Sequence, residues 1–128
     1  MRKHILSLLL FTFIATVNMN AQNFFEILKS GNYAELTQHM ESSVKVEFNR
    51  DKKQLSKNAA TDLIAEKLTE FQPVKWEIMH NGSSENEDSS YTIAKAYDKQ
   101  NNGLRFFIHL EDGAESKTIS AIRIRKLL

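Results

Sequence analysis

The sequence predicts an α+β domain in which three N-terminal helices pack on an antiparallel sheet of about five strands. Three observations carry that expectation. Before Pro73 most apolar residues recur at helical spacing; from Val74 onward they alternate with polar ones. Turn residues then punctuate the alternating half at short intervals. Helices followed by a run of strands is the order of an α+β domain, with the helices covering one face of the sheet.

Residues 1–21 precede that domain and read as a cleavable signal peptide. Arg2 and Lys3 stand before an apolar stretch from Ile5 to Val17 broken only by Ser7, Thr12 and Thr16. Asn18-Met19-Asn20-Ala21 then offers a cut after Ala21. The apolar run is about 13 residues, against about 20 needed to span a bilayer, and no Lys/Arg cluster follows it. The expectation is therefore an exported protein, periplasmic or extracellular, with no membrane span. Residues 22–128 are expected to form a single domain, near the common size for one core.

Composition narrows the chemistry. There is no cysteine, which removes disulfides, thiol catalysis, thiolate zinc sites and iron–sulfur clusters. The 17 Lys and Arg against 16 Asp and Glu include Arg2 and Lys3, so the domain without its leader is slightly acidic. Such an interspersed balance does not suggest nucleic acid, whose phosphates require a one-sided basic face.

Each element has its own signal. Phe24, Ile27 and Leu28 make a helical stripe, and Gly31 supplies the left-handed residue that ends it. Asn32 is placed to cap a second helix in a capping box with Glu35; Tyr33, Leu36 and Met40 share its face. Val44, Val46 and Phe48 alternate as a strand, and Asn49 to Lys53 is a polar turn before a very short strand at most. Ser56 can cap a third helix carrying Ala60, Leu63, Ile64, Leu68 and Phe71. Pro73 stops it and should hold Gln72 extended. Val74, Trp76, Ile78 and His80 share one parity, and a polar loop over Gly82 to Ser90 leads into a strand from Tyr91. Asn101-Asn102-Gly103 signals a type I′ hairpin. Leu104, Phe106, Ile108 and Leu110 face inward, Asp112-Gly113 turns again, and the last strand runs from Lys117 to Lys126 with Ile122 and Ile124 inward.

The element order resembles the nuclear-transport-factor-two-like (cystatin-like) superfamily, a cone of curved sheet wrapped around helices. Leu28-Lys29-Ser30-Gly31-Asn32, Leu55-Ser56-Lys57, His80-Asn81-Gly82-Ser83-Ser84, Tyr91-Thr92-Ile93-Ala94 and Ile122-Arg123-Ile124 are similar to landmarks of a family of small exported Bacteroidota proteins with that fold. Ala94 departs from the family pattern, which favours glycine. The resemblance implies a curved sheet and a cone-shaped cavity; it implies no catalytic residue.

Four residues are candidates for a ligand site in the cone: Trp76, His80, Tyr91 and Phe106. The aromatics could wall an apolar pocket, and an imidazole at the strand end titrates near neutral pH. Against this, strand aromatics commonly just fill a core, and a histidine beside a loop commonly just bonds a carbonyl. His39 and His109 lack zinc-site spacing with any other histidine, and Glu85, Glu87 and Asp88 lack the calcium-loop pattern, so neither metal nor cofactor is expected. Tyr97 and Asp98, being adjacent in a strand, face opposite sides and cannot share a pocket.

The expectation for function is a non-enzymatic exported binding module that holds a small apolar ligand or a protein partner, through the cone or the exposed sheet face. Two alternatives are a small isomerase- or hydrolase-like enzyme with His80 or Glu47 buried in the cone, and a structural homodimer. The dimer would pair through the outer sheet face at Arg105, Phe107, His109 and Arg123.

Overall fold

The computed structural model describes residues 21–83, 89–112 and 117–127. All of the expected leader but Ala21, the acidic loop residues Glu85, Glu87 and Asp88, and Gly113 lie outside the described residues. The elements run α1 (Ala21–Ser30), α2 (Tyr33–Gln38), β1 (Met40–Phe48), β2 (Asp51–Ser56), α3 (Lys57–Phe71), β3 (Lys75–Ser83), β4 (Ser89–Tyr97), β5 (Gly103–Asp112) and β6 (Lys117–Lys126).

Six strands form one sheet in the order β2-β1-β6-β5-β4-β3. The α+β class holds, with three corrections to the expected five antiparallel strands on three leading helices. The segment after the Asn49–Arg50 turn is a full strand, pairing with β1 from Ser43↔Ser56 to Phe48↔Asp51. The first helices also precede β1, whereas α3 falls between β2 and β3. Strand β1 lies on the far side of β6 and runs parallel to it, Val46 opposite Ile122 and Phe48 opposite Ile124. Every other neighbouring pair is antiparallel.

Local chemistry sets the helix ends. Gly31 has φ +75°, the left-handed C-terminal stop that its position implies. Asn32 and Glu35 do meet, through Asn32 Nδ2 donating to Glu35 Oε2 at 3.2 Å, but neither side chain bonds the helix backbone as a capping box would. Ser56 Oγ accepts from the Ala59 N–H at 3.3 Å and caps α3. Before Pro73, Gln72 is left-handed (φ 54°, ψ 66°) rather than extended, and its N–H reaches the Leu68 carbonyl at 2.9 Å. The proline excludes right-handed helix at Gln72, and the left-handed turn satisfies one more terminal carbonyl.

The β4–β5 connection spans Asp98 to Asn102 rather than a two-residue turn. Asp98 Oδ1 accepts from the Gln100 and Asn102 N–H groups at 3.0 and 2.8 Å, and Asn101 alone in that loop has positive φ. Gly103 is needed for closeness instead: a Cβ there would lie 2.6 Å from Leu127 Cδ1 and 3.2 Å from Tyr97 Cε1.

The helices cover one face of the sheet. Phe24, Phe25 and Leu36 meet Val44, Val46, Ile64, Ala94, Ala96, Phe106, Ile108, Leu110, Ile119 and Ile124, all essentially without exposure. Ala94 and Ala96 leave room on β4 for the neighbouring Trp76 and Phe106 side chains. Thr61, an inward α3 position that the apolar pattern passed over, lies 2.7 Å from Thr37 Oγ1 and so links α3 to α2. Register breaks between Ile78 and His80, His109 and Leu110, and Met40 and Lys45 bend and twist the strands, as bulges do. At the exposed edge, β2 carries Asp51, Lys52 and Lys53, charges that discourage further strand addition.

Two substitutions check this packing. Ile108→Ala should cost about 2–5 kcal/mol in chemical denaturation, whereas a value below about 1 kcal/mol would mean the strand's inward face is misassigned. Gly31→Ala should cost about 1 kcal/mol, because alanine must then adopt a left-handed conformation.

Candidate functional site

The four expected site residues do not form one cluster. Trp76 and Phe106 are on the helix-covered face, rings 5.2 Å apart, and Phe25 packs on the other side of Trp76 at 6.1 Å. These rings pack on one another where α1 meets the sheet, with Trp76 half-buried. Phe106 is fully buried, so its role is packing. Tyr91 belongs to the opposite parity from Thr92, Ala94 and Ala96 and stacks on Phe107 on the outer face, centroids 5.4 Å apart and planes 19° apart. The bulge at Met79 breaks the parity assumed from Trp76 to His80: Ile78 pairs with Ala94, but His80 pairs with Ile93. The His80 side chain lies outside the described ones.

Glu47 also departs from expectation. Val44 and Val46 point to the core, so Glu47 falls on the outer face, yet its side chain is only 6% exposed. Arginines from β6 cover it. Arg125 donates from Nε and Nη2 to Glu47 Oε2 at 3.3 and 3.0 Å, Arg123 Nε is 3.6 Å from the same oxygen, and Lys52 Nζ is 4.0 Å from Oε1. The hydrogen bonds from Arg125 hold the Glu47 carboxyl below its ordinary range, with Arg123 and Lys52 adding to the effect and burial opposing it. Glu47 therefore joins β1, β2 and β6 on the outside, away from the cone in which the enzyme alternative needs it.

Cross-strand register turns the outer face into two rows. One runs Ile93, Phe107, Arg123, Glu47, Lys52; the next runs Glu77, Lys95, Arg105, Arg125. In the second row Arg105 has a cation directly opposite on each side. Like charges so placed destabilise a sheet. Among the described residues Arg105 has no acidic partner, and Arg125 is turned toward Glu47. Between the rows lies an open pocket of about 260 Å³ lined by Ile93, Arg105, Phe107, Arg123 and Arg125. Arg123 sits over the Phe107 ring at 5.3 Å, so one ring face carries Tyr91 and Arg123 engages the ring as a cation–π partner.

The other residues expected on this face have local partners. His109 Nδ1 is 2.9 Å from Ser120 Oγ and 3.8 Å from Glu111 Oε1. Glu41 is held above its ordinary range, chiefly by burial and also by Glu111, with His109 acting in the opposite sense. A second cleft of about 240 Å³ opens where the last turns of α3 meet the strand ends, lined by Phe48, Lys67, Glu70, Phe71, Leu104 and Lys126. Lys67 Nζ stands 4.5 Å over Phe48 there. Among the described residues no group of three or more His, Asp or Glu could hold a metal, and no helix is long and apolar enough to cross a membrane.

Comparison with known proteins places this geometry. The model of a domain of unknown function, DUF4783, matches residues 21–125. The chain belongs to the DUF4783 family. A DUF4783 protein of Bacteroides ovatus has a similar structure, with TM-score 0.69 and 23% identity over 77% of this chain and 86% of that one. One from Bacteroides fragilis superposes with TM-score 0.68 and 21% identity over 76% and 89%. The protein named "Rd1NTF2_04 with long sheet" aligns with TM-score 0.65 and 17% identity over 82% and 99%. The nuclear-transport-factor-two-like resemblance in the sequence therefore holds, as does the curved α+β architecture. Comparison with curated proteins finds no match.

Glu47 generates a pH expectation. Its folded pKa lies below the unfolded value, so its contribution is fully present above the unfolded pKa and is lost as pH falls through the folded one. Glu47→Gln should therefore lower the melting temperature at neutral pH and flatten the loss of stability on acidification. An unchanged melting profile from neutral to acid pH would contradict the assigned network.

Proposed function

We propose that this DUF4783 protein is an exported, non-enzymatic binding module that works through its outer sheet face. The carrying observation is the contrast between the two faces. Phe25, half-buried Trp76 and Phe106 pack ring on ring between α1 and the sheet, whereas the outer face keeps an open pocket with three guanidinium groups and two apolar side chains. Buried aromatics supply packing; an accessible concavity with convergent polar groups is the usual form of a ligand site. Export rests on the basic start and short apolar run of residues 1–21.

A homodimer through this same face is less well supported by the charges. A two-fold interface places each patch against its own copy, and the row Lys95, Arg105, Arg125 would bring cations toward cations. An enzyme with Glu47 as its acid or base in the cone is disfavoured by the position of that carboxylate under Arg125 on the outside.

The test is the crystal structure of residues 22–128 purified from the native host. The expected result is non-protein density on the outer face between Ile93, Arg105 and Phe107. Density lodged beside Trp76 on the inner face, with the outer pocket empty, would overturn the proposal.

A further inference from the structure

We infer that the outer-face pocket is a binding site for a small amphiphilic anion, a carboxylate joined to a compact apolar group. The inference rests on the outer-face reading proposed above and adds the chemistry of the ligand. Charge is its first support. Glu47 is a single carboxylate facing Arg123, Arg125 and Lys52, so the pocket keeps positive charge after its internal pairs are counted. Arg105 then adds a guanidinium with no acidic partner among the described residues, flanked across the strands by Lys95 and Arg125.

Such a row is unfavourable in the empty protein. A bound anion between Arg105 and Arg125 would remove that repulsion and accept hydrogen bonds from both. Guanidinium suits this because its planar fork matches the two oxygens of a carboxylate, with bonds stronger than those between neutral groups. Glu47 fixes Arg125 from behind, so little side-chain freedom is lost there on binding.

Shape supplies the rest. The volume of about 260 Å³ equals about nine waters at about 30 Å³ each, the size of one small ring or short branched chain with its carboxylate. Ile93 and Phe107, register partners on neighbouring strands, line the pocket beside the guanidinium groups and carry no hydrogen-bonding side-chain atom, so they suit the apolar body. A fully hydrated inorganic anion would leave that wall unused. A peptide segment would need more surface than this concavity offers.

Arg105 is the residue to change, because its removal leaves the Glu47 network in place. Benzoate serves as the probe, with benzamide and inorganic phosphate as controls, titrated by calorimetry and thermal denaturation at low ionic strength. For a ligand of this size a Kd on the order of 1 mM is expected for benzoate. Benzoate should raise the melting temperature in proportion to its binding, and benzamide and phosphate should do so much less. Arg105→Thr should weaken benzoate by about tenfold or more, the loss of one charge-assisted partner. Without ligand, the same variant should melt at or above the wild-type temperature, since a cation is removed from a like-charged row.

If Arg105→Thr fails to fold, Arg105→Lys carries the test: it keeps the charge and loses the fork, and should weaken benzoate severalfold. Unchanged benzoate affinity in the variant that folds would overturn the inference. So would benzamide binding as tightly as benzoate, or phosphate binding as tightly. A neutral molecule found in this pocket in the native-host crystal would overturn the anion and leave the outer-face function intact.

Discussion

Trp76, the single tryptophan of the chain, is held between Phe25 of α1 and Phe106 of β5, and the rest of the molecule depends on that contact. It closes the distal half of the sheet onto the first helix and joins the start of the domain to its middle. Ring pairs at these separations contribute beyond the area they bury. Alanines at 94 and 96 make it possible, because larger side chains on β4 would push Trp76 off the helix. The same contact sets where function can be. A curved sheet over helices could enclose a ligand; here Phe25, Trp76 and Phe106 pack ring on ring between α1 and the sheet.

The second constraint is the parallel seam between β1 and β6. A parallel pair brings together residues far apart in sequence, and here the seam is reinforced outside by Glu47 and two β6 arginines. An acid this little exposed persists only when its oxygens are engaged. Its cost is met by Arg125, and the covering guanidinium groups become one wall of the outer pocket. Arg123 and Arg125 therefore serve the seam and also line the pocket of the proposed site, while Arg105 has no acidic partner among the described residues. If the proposed site binds its ligand there, a residue that weakens the resting sheet and faces a concavity is where stability and function trade against each other.

Much of the fold was legible because period and punctuation agree. Val44 and Val46, Phe106 and Ile108, and Ile122 and Ile124 all lie on the face their alternation implies, and Gly31 and Ser56 end and begin helices as their chemistry requires. The strand β2 was hidden because Asp51-Lys52-Lys53-Gln54 has no apolar alternation; it pairs by backbone bonds at an edge that needs no buried face. The register shift between Ile78 and His80 leaves no mark in sequence, yet one extra residue reverses every later position. Tyr91 was grouped with the cone by its aromatic character, although its parity against Ala94 and Ala96 already placed it outside. Parity already places Arg105, Phe107 and Arg123 together on the outer face, but not the pocket they line with Ile93 and Arg125. Lys95, Arg105 and Arg125 look like scattered surface charge until the register sets them in one row, and register is a property of pairing rather than of any one segment.

The central proposal is that Phe25, Trp76 and Phe106 close the space beside α1 with their own rings and that ligand chemistry lies on the outer face. Xenon tests it most directly, because it enters dry apolar cavities without needing any specific contact. In crystals of residues 22–128 pressurised with xenon, the account requires no xenon site between Trp76, Phe106 and α1. A well-occupied xenon atom there would mean that the cone holds ready space for an apolar ligand, and would contradict the account.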